Sequence, residues 1–215
     1  MTVGDVVDVD RLVAWLHRFA ELVEQEADAL TALDAAIGDA DHGTNMRRGC
    51  RAIVEALAAN PPADVATFGR SVAMTLISAV GGASGPLYGS FFLTFGTTAG
   101  ATDALGADQV GEVWTAAVGA IASRGKAEVG DKTMLDALVP AADALREALA
   151  DGRGLDESFA AALSACAAGR DATIPLVARK GRASYLGERS AGHQDPGATS
   201  STLLVQAAAE TVTTS

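Results

Sequence analysis

Residues 9–46 read VDRLVAWLHRFAELVEQEADALTALDAAIGDADHGTNM. Leu12, Val13, Trp15, Leu16, Phe19, Leu22, Val23, Leu30 and Leu33 recur at three- and four-residue steps, the spacing of one apolar face on a long helix over 9–36. Gly38 can stop that helix as its C-cap. Asp34 then lies in the last turn, and Asp39 and Asp41, two apart on extended chain, point to one side. Like charges gathered this closely repel unless a cation neutralises them. Hard oxygen ligands of this kind suit Mg²⁺ or Ca²⁺ rather than zinc, so the spacing predicts a magnesium site of Asp34, Asp39 and Asp41. From this stretch alone a plainer reading stays open, in which Asp39 and Asp41 cap the next helix in solvent.

Outward from this stretch the chain continues as helices that end at breakers. Residues 45–59 stop at Asn60-Pro61-Pro62 and residues 65–79 stop at Gly81-Gly82. The aromatic run 90–95 is read as helix rather than strand because helical patterns flank it. Further helices are expected over 107–123, 134–150, 155–168 and 199–209, with Thr133 and Asp136 as a capping box for 134–150. About eight helices and no convincing strand pair predict an all-α barrel or bundle. At 215 residues, 49% hydrophobic and 5% aromatic, the chain can bury one substantial core as a single domain over 1–215, packed mostly by Ala and Leu.

The formal net charge of -11 argues against a nucleic-acid surface, so a phosphate ligand needs a metal or local donors. Cys50 and Cys166 sit inside helical patterns and form no ligand spacing, which fits a reduced cytoplasm. Residues 1–10 carry Asp5, Asp8 and Asp10 instead of a basic-then-apolar leader, and no charge-free run reaches membrane length. The expectation is a soluble cytoplasmic protein.

Three loops differ in character from the helices and are the places where a helical scaffold carries function. Gly81-Gly82-Ala83-Ser84-Gly85 offers backbone N–H groups at a helix start, a setting for phosphate oxygens. Ser84 does not sit in a hydrolase elbow, because Pro86 stands where G-x-S-x-G requires glycine. Residues 125–133 nearly form a Walker A loop, but Asp131 intrudes between Gly130 and Lys132 and a helix precedes them. An EF-hand fails too, since counting from Asp39 puts Gly43, Thr44 and Cys50 at positions 5, 6 and 12. The third loop, 178–197, gathers Arg179, Lys180, Arg182 and Arg189 in an acidic protein, which suggests anion recognition. His42 and His193 lie in glycine-flanked loops and receive no catalytic role.

Residues 33–46, 81–89, 125–134 and 178–200 together, in this order and spacing, resemble the nucleotide-binding L subunit of bacterial dihydroxyacetone kinases across nearly the whole chain. The resemblance implies an eight-helix antiparallel barrel that holds ADP or ATP at one end through two Mg²⁺ ions, with Asp34, Asp39 and Asp41 as metal ligands. It implies nucleotide contacts from His42, Gly43, Thr44, Asn45, Ala83 and Ser84, and from Gly125, Met134, Arg182, Asp195, Pro196 and Gly197. It also implies a separate K subunit that carries dihydroxyacetone as a histidine hemiaminal, for which this chain's length leaves no room. In one branch of the family a third, M-type subunit of the phosphotransferase system recharges bound ADP, and in another exchangeable ATP is the donor. Two further readings are a related domain serving another acceptor, as in fatty acid kinases, and a nucleotide-dependent regulatory binding protein without turnover.

Overall fold

In the computed structural model, which describes residues 6–212, eight α-helices follow one another: α1 (Val9–Ile37), α2 (His42–Ala59), α3 (Val65–Ala79), α4 (Ser84–Ala99), α5 (Ala107–Gly125), α6 (Leu135–Ala150), α7 (Leu155–Ala172) and α8 (Pro196–Thr211). Each helix packs on its chain neighbour and α8 packs back on α1, so the ring closes. Mostly short connections reverse the chain at each step. The outcome is the all-α barrel that helical periodicity predicts. The leader reading falls partly on residues 1–5, which lie outside the described residues.

Two elements run against the sequence expectation. Val6–Asp8 (β1) pairs antiparallel with Ala104–Gly106 (β2), Val6 opposite Gly106, where no strand pair was expected. Strands of three residues are too short to show alternation. Arg182–Ser190 forms 3₁₀ turns, kinked at Gly187, inside a stretch read as loop.

Helix ends also differ from the sequence expectation. Helix α2 begins at His42 rather than 45, because Asp34 Oδ2 accepts the N–H groups of Asp41 at 2.8 Å and His42 at 3.1 Å. A cap delivered from the preceding helix is invisible to a local reading. Helix α8 begins at Pro196 rather than 199, since the Asp195 carboxylate accepts the Ala198 N–H at 2.7 Å and proline suits the first turn. Helix α7 continues past 168 to Ala172.

Every Phe and Trp of the chain is buried, and their rings meet in the core. Trp15 stands 5.5 Å from Phe92, 5.8 Å from Phe95 and 5.3 Å from Trp114, centroid to centroid. Its Nε1–H donates to Leu204 O at 2.9 Å and so ties α1 to α8 inside the ring. Ala and Leu line the helix contacts, but the few aromatics concentrate where the helices converge. Helices α3 and α4 touch backbone to backbone: a Cβ on Gly69 would lie 2.5 Å from Phe92 O and 2.6 Å from Gly96 Cα.

That contact sets a testable balance. Gly69→Ala gains about 1 kcal/mol of helix propensity, whereas overpacking costs about 1–3 kcal/mol. The expected result is a net loss, read as a lower urea midpoint with an unchanged slope.

Candidate functional site

In an alternating ring, the ends of α1, α3, α5 and α7 share one face with the starts of α2, α4, α6 and α8. A cavity of about 360 Å³ opens on that face. Its lining comes from the α1–α2 link, the α3–α4 link, the end of α5, the 125–134 loop, residues 180–183 and the start of α8. Four helix N-termini, each carrying about half a positive charge, therefore lie at the end where the cavity opens.

Asp34, Asp39 and Asp41 meet at its edge, with one ligand oxygen from each within 4.8 Å of the others. Oxygens on one Mg²⁺ at about 2.1 Å are about 3 to 4 Å apart, so the three span one coordination sphere or slightly more. The chain between Asp39 and Asp41 is not extended, as the sequence reading had it, but turns through Ala40 at φ 63°. Asp34 is buried and its Oδ2 is taken by the N–H groups of Asp41 and His42, which leaves Oδ1 for a cation. A Cβ on Gly38 would collide with that Oδ1. Arg182 Nε lies 3.0 Å from Asp39 Oδ2, an exposed pair that leaves Asp39 its second oxygen.

Across the α3–α4 link, Ser84 Oγ lies 3.3 Å from His42 Nδ1, and His42 Nε2 lies 2.9 Å from Ser200 Oγ. Ser200 donates to Gly197 O at 3.1 Å, so it accepts from Nε2–H. Nδ1 is left as acceptor for the Ser84 hydroxyl. Burial is the largest influence on His42 and lowers its pKa, while Asp34 and Asp41 oppose it. His42 is thus a hydrogen-bonded interior residue. His193 is exposed and enters the site only through its backbone.

The 125–134 loop is held from within. Asp131, the residue that breaks the Walker pattern, accepts the Glu128 N–H at 3.0 Å. Asp136 accepts the N–H groups of Gly130 at 2.6 Å and Thr133 at 2.7 Å. The expected capping box forms on that arm only, because Thr133 Oγ1 accepts from Leu135 instead of Asp136. Lys132 is buried, and its ammonium donates to the carbonyls of Thr173, Ile174 and His193. Burial lowers its pKa against the pull of Asp195 and Asp136. Burial also pushes the Asp195 carboxyl up to about 7, with Asp136 adding to the effect.

Of the expected nucleotide contacts, His42, Asn45, Ala83, Ser84, Gly125, Met134, Arg182, Asp195, Pro196 and Gly197 line the cavity together with the triad. Gly43 and Thr44 do not. Gly43 faces α1, where a Cβ would collide with Ala27 O, and Thr44 points to solvent. Arg124, Leu87 and Ile121 also line it without having been expected there, as do Lys132 of the near-Walker loop and Lys180 of the basic loop. The near-Walker spelling around Lys132 was a signal, but its partners lie some forty to sixty residues away in sequence.

These features define a class: a closed helical barrel with a carboxylate cluster beside a cavity fed by helix N-termini. The chain belongs to the DAK2 domain family, whose model matches residues 36–210. It is 44% identical over 196 residues to the ADP-binding subunit DhaL of the PEP-dependent dihydroxyacetone kinase of Escherichia coli K12, covering 91% of this chain and 93% of that one. It is 42% identical over 207 residues to the ADP-binding subunit DhaL of a PTS-dependent dihydroxyacetone kinase from Lactococcus lactis, covering 96% and 100%. The crystal structure of the C. freundii dihydroxyacetone kinase in complex with AMP-PNP and Mg²⁺ superposes with a TM-score of 0.70 at 29% identity. That match covers 93% of this chain and 33% of the C. freundii chain, so this chain spans about a third of that kinase.

Asp195 supplies a pH test. Its pKa of about 7 in the fold exceeds the value near 4 of an unfolded chain. Between these pH values the folded state holds a proton that the unfolded state has lost, so this group's contribution to stability falls as pH rises from 4 to 7. Asp195→Asn keeps the helix cap and removes the titration. The stability difference between pH 5 and pH 7.5, measured by urea unfolding, is expected to shift by more than 1 kcal/mol relative to wild type.

Proposed function

We propose that the chain is a single nucleotide-binding domain over residues 1–215 that holds ADP or ATP in this cavity and transfers a phosphoryl group to dihydroxyacetone carried on a separate K subunit. The product is dihydroxyacetone phosphate. The observation that carries this reading is the meeting of the Asp34, Asp39 and Asp41 carboxylates with the loop before α4 and the wall at Asp195, Pro196 and Gly197 in one cavity. The relatives named as ADP-binding kinase subunits, and the kinase structure holding AMP-PNP and Mg²⁺, support the same assignment.

The triad fits Mg²⁺ by chemistry and geometry: all donors are carboxylate oxygens, they converge, and Gly38 leaves room beside Asp34 Oδ1, the oxygen not used in capping. We assign the three aspartates to two Mg²⁺ ions, which when bound neutralise charge on the phosphate oxygens. The protein's own part is positioning. The N–H groups of Asp41 and His42 fix Asp34, and His42 Nδ1 holds the Ser84 hydroxyl. Amides at the start of α4 suit phosphate oxygens, and Ile121, Leu87 and Met134 give the cavity an apolar side for a base.

Both bacterial relatives are named as ADP-binding subunits of PEP- or PTS-dependent kinases, which supports resident ADP recharged in place by a third, M-type subunit. Mass analysis of nucleotide released from the purified protein tests this directly, and the expected species is ADP. The proposed compartment is the cytoplasm, in keeping with the free Cys50 and Cys166. Among the described residues no helix is long and apolar enough to cross a membrane.

The decisive measurement mixes the protein with Mg²⁺, nucleotide, dihydroxyacetone and a K subunit and follows dihydroxyacetone phosphate. Asp39→Asn and Asp41→Asn are expected to lower transfer by about 100-fold or more, and chelation should abolish it reversibly. Full transfer by either variant would remove the metal assignment.

A further inference from the structure

Residues 173–195 leave the barrel at the end of α7 and return at the start of α8, carrying Lys180, Gly181 and Arg182 to the cavity on the way. The two ends of this excursion are drawn together at a narrow neck. Gly192 N–H donates to Ile174 O at 2.7 Å, and Asp195 N–H donates to Thr173 Oγ1 at 3.0 Å. A third element, from a different loop, crosses both sides of the neck. The Lys132 ammonium donates to Thr173 O at 2.6 Å and Ile174 O at 3.4 Å on the outgoing side, and to His193 O at 2.5 Å on the returning side.

An ammonium carries three N–H donors and no acceptor, so these three carbonyls use its whole capacity. The side chain is 1% exposed, and its backbone stands at φ 62°, a conformation that favours glycine. Neither feature suits a solvated lysine. Both follow if the backbone is held where the side chain can reach the neck. The nearby carboxylates of Asp195 and Asp136 favour a cation at this point. An arginine would keep the charge, but its planar fork does not place three N–H groups on three carbonyls that converge on one atom.

We propose that Lys132 is a positioning residue for the bound polyphosphate: its ammonium clasps both ends of the 173–195 excursion, and the clasp holds Arg182 beside Asp39 and sets Asp195, Pro196 and Gly197 in the cavity wall. This rests on the reading that the cavity holds a nucleotide. The clasp ties the 125–134 loop to the end of α7 and the start of α8, adding to the Asp195 N–H bond to Thr173 Oγ1 and the Arg179 N–H bond to Asp131 O that already link these segments. An apolar side chain at 132 leaves the His193 carbonyl without its buried donor, and the neck opens first.

The test compares wild type with Lys132→Met and Lys132→Arg by amide hydrogen exchange and by calorimetric titration with MgADP. In Lys132→Met, exchange over 173–195 is expected to quicken at least tenfold while α1 to α5 keep their protection, and the Kd for MgADP is expected to rise at least tenfold. Lys132→Arg should fall short of wild type on both. Exchange and affinity within twofold of wild type in Lys132→Met overturn the proposal, as does faster exchange with unchanged affinity, or full rescue by arginine. If Lys132→Met does not fold, the wild-type protein carries the test: a lysine ammonium held by three carbonyls exchanges slowly enough to give a side-chain ¹⁵N signal at neutral pH, and absence of that signal rejects the clasp. A wild-type protein that bound no MgADP would defeat the functional reading above, whereas exchange over 173–195 would still report on the clasp.

Discussion

Alternation is the constraint on which the rest of this structure depends. Short links between α1 and α6 force each helix to reverse, and closure of α8 on α1 through the Trp15 and Leu204 contact turns the series into a ring. Once the ring is closed, α2, α4, α6 and α8 all begin on one face. Their helix dipoles make that face locally attractive to anions although the chain carries a formal net charge of -11. The carboxylate triad sits on the same face and adds the opposite sign. A polyphosphate with its cations satisfies both together, which neither a bare anion nor a bare cation does.

Asp34 shows how closely site and scaffold are joined. One oxygen of its carboxylate ends the search of α2 for a cap, and the same carboxylate takes part in the cluster with Asp39 and Asp41. The glycines around it serve this arrangement sterically. Gly38 keeps the space beside the Asp34 oxygen clear, and Gly43 lets α2 lie against the backbone of α1. Gly43 thus serves the packing of α2 on α1.

The loops that carry polar chemistry are built as firmly as the helices. Ser190 accepts the Ala178 N–H at 2.8 Å and donates to Gly187 O at 2.6 Å, so one hydroxyl closes the 178–190 segment on itself. Asp136 does the same for the 130–133 turn. The Lys132 and Asp195 side chains are buried between these segments, where burial moves both away from their ordinary proton affinities. A site made this way is preorganised: little of the binding free energy goes into ordering loops. The match to the family and to a kinase structure holding AMP-PNP and Mg²⁺ sits well with such a scaffold.

By itself the sequence determined the helices, their breakers and the carboxylate triad, because three- and four-residue periodicity, proline, glycine and short-range charge spacing are local signals. The joint order of four motifs was enough to point to the family and to most of the residues that line the cavity. Tertiary structure decided the rest. It gave Asp34 its capping role and bent the chain at Ala40, removed Gly43 and Thr44 from the cavity, and placed β1 against β2 across nearly a hundred residues. It also turned Lys132 from a relic of a broken Walker spelling into a ligand of three distant carbonyls. Each of these depends on partners far apart in the chain, and no local pattern encodes which backbone atoms a closed ring will bring within 3 Å of a side chain.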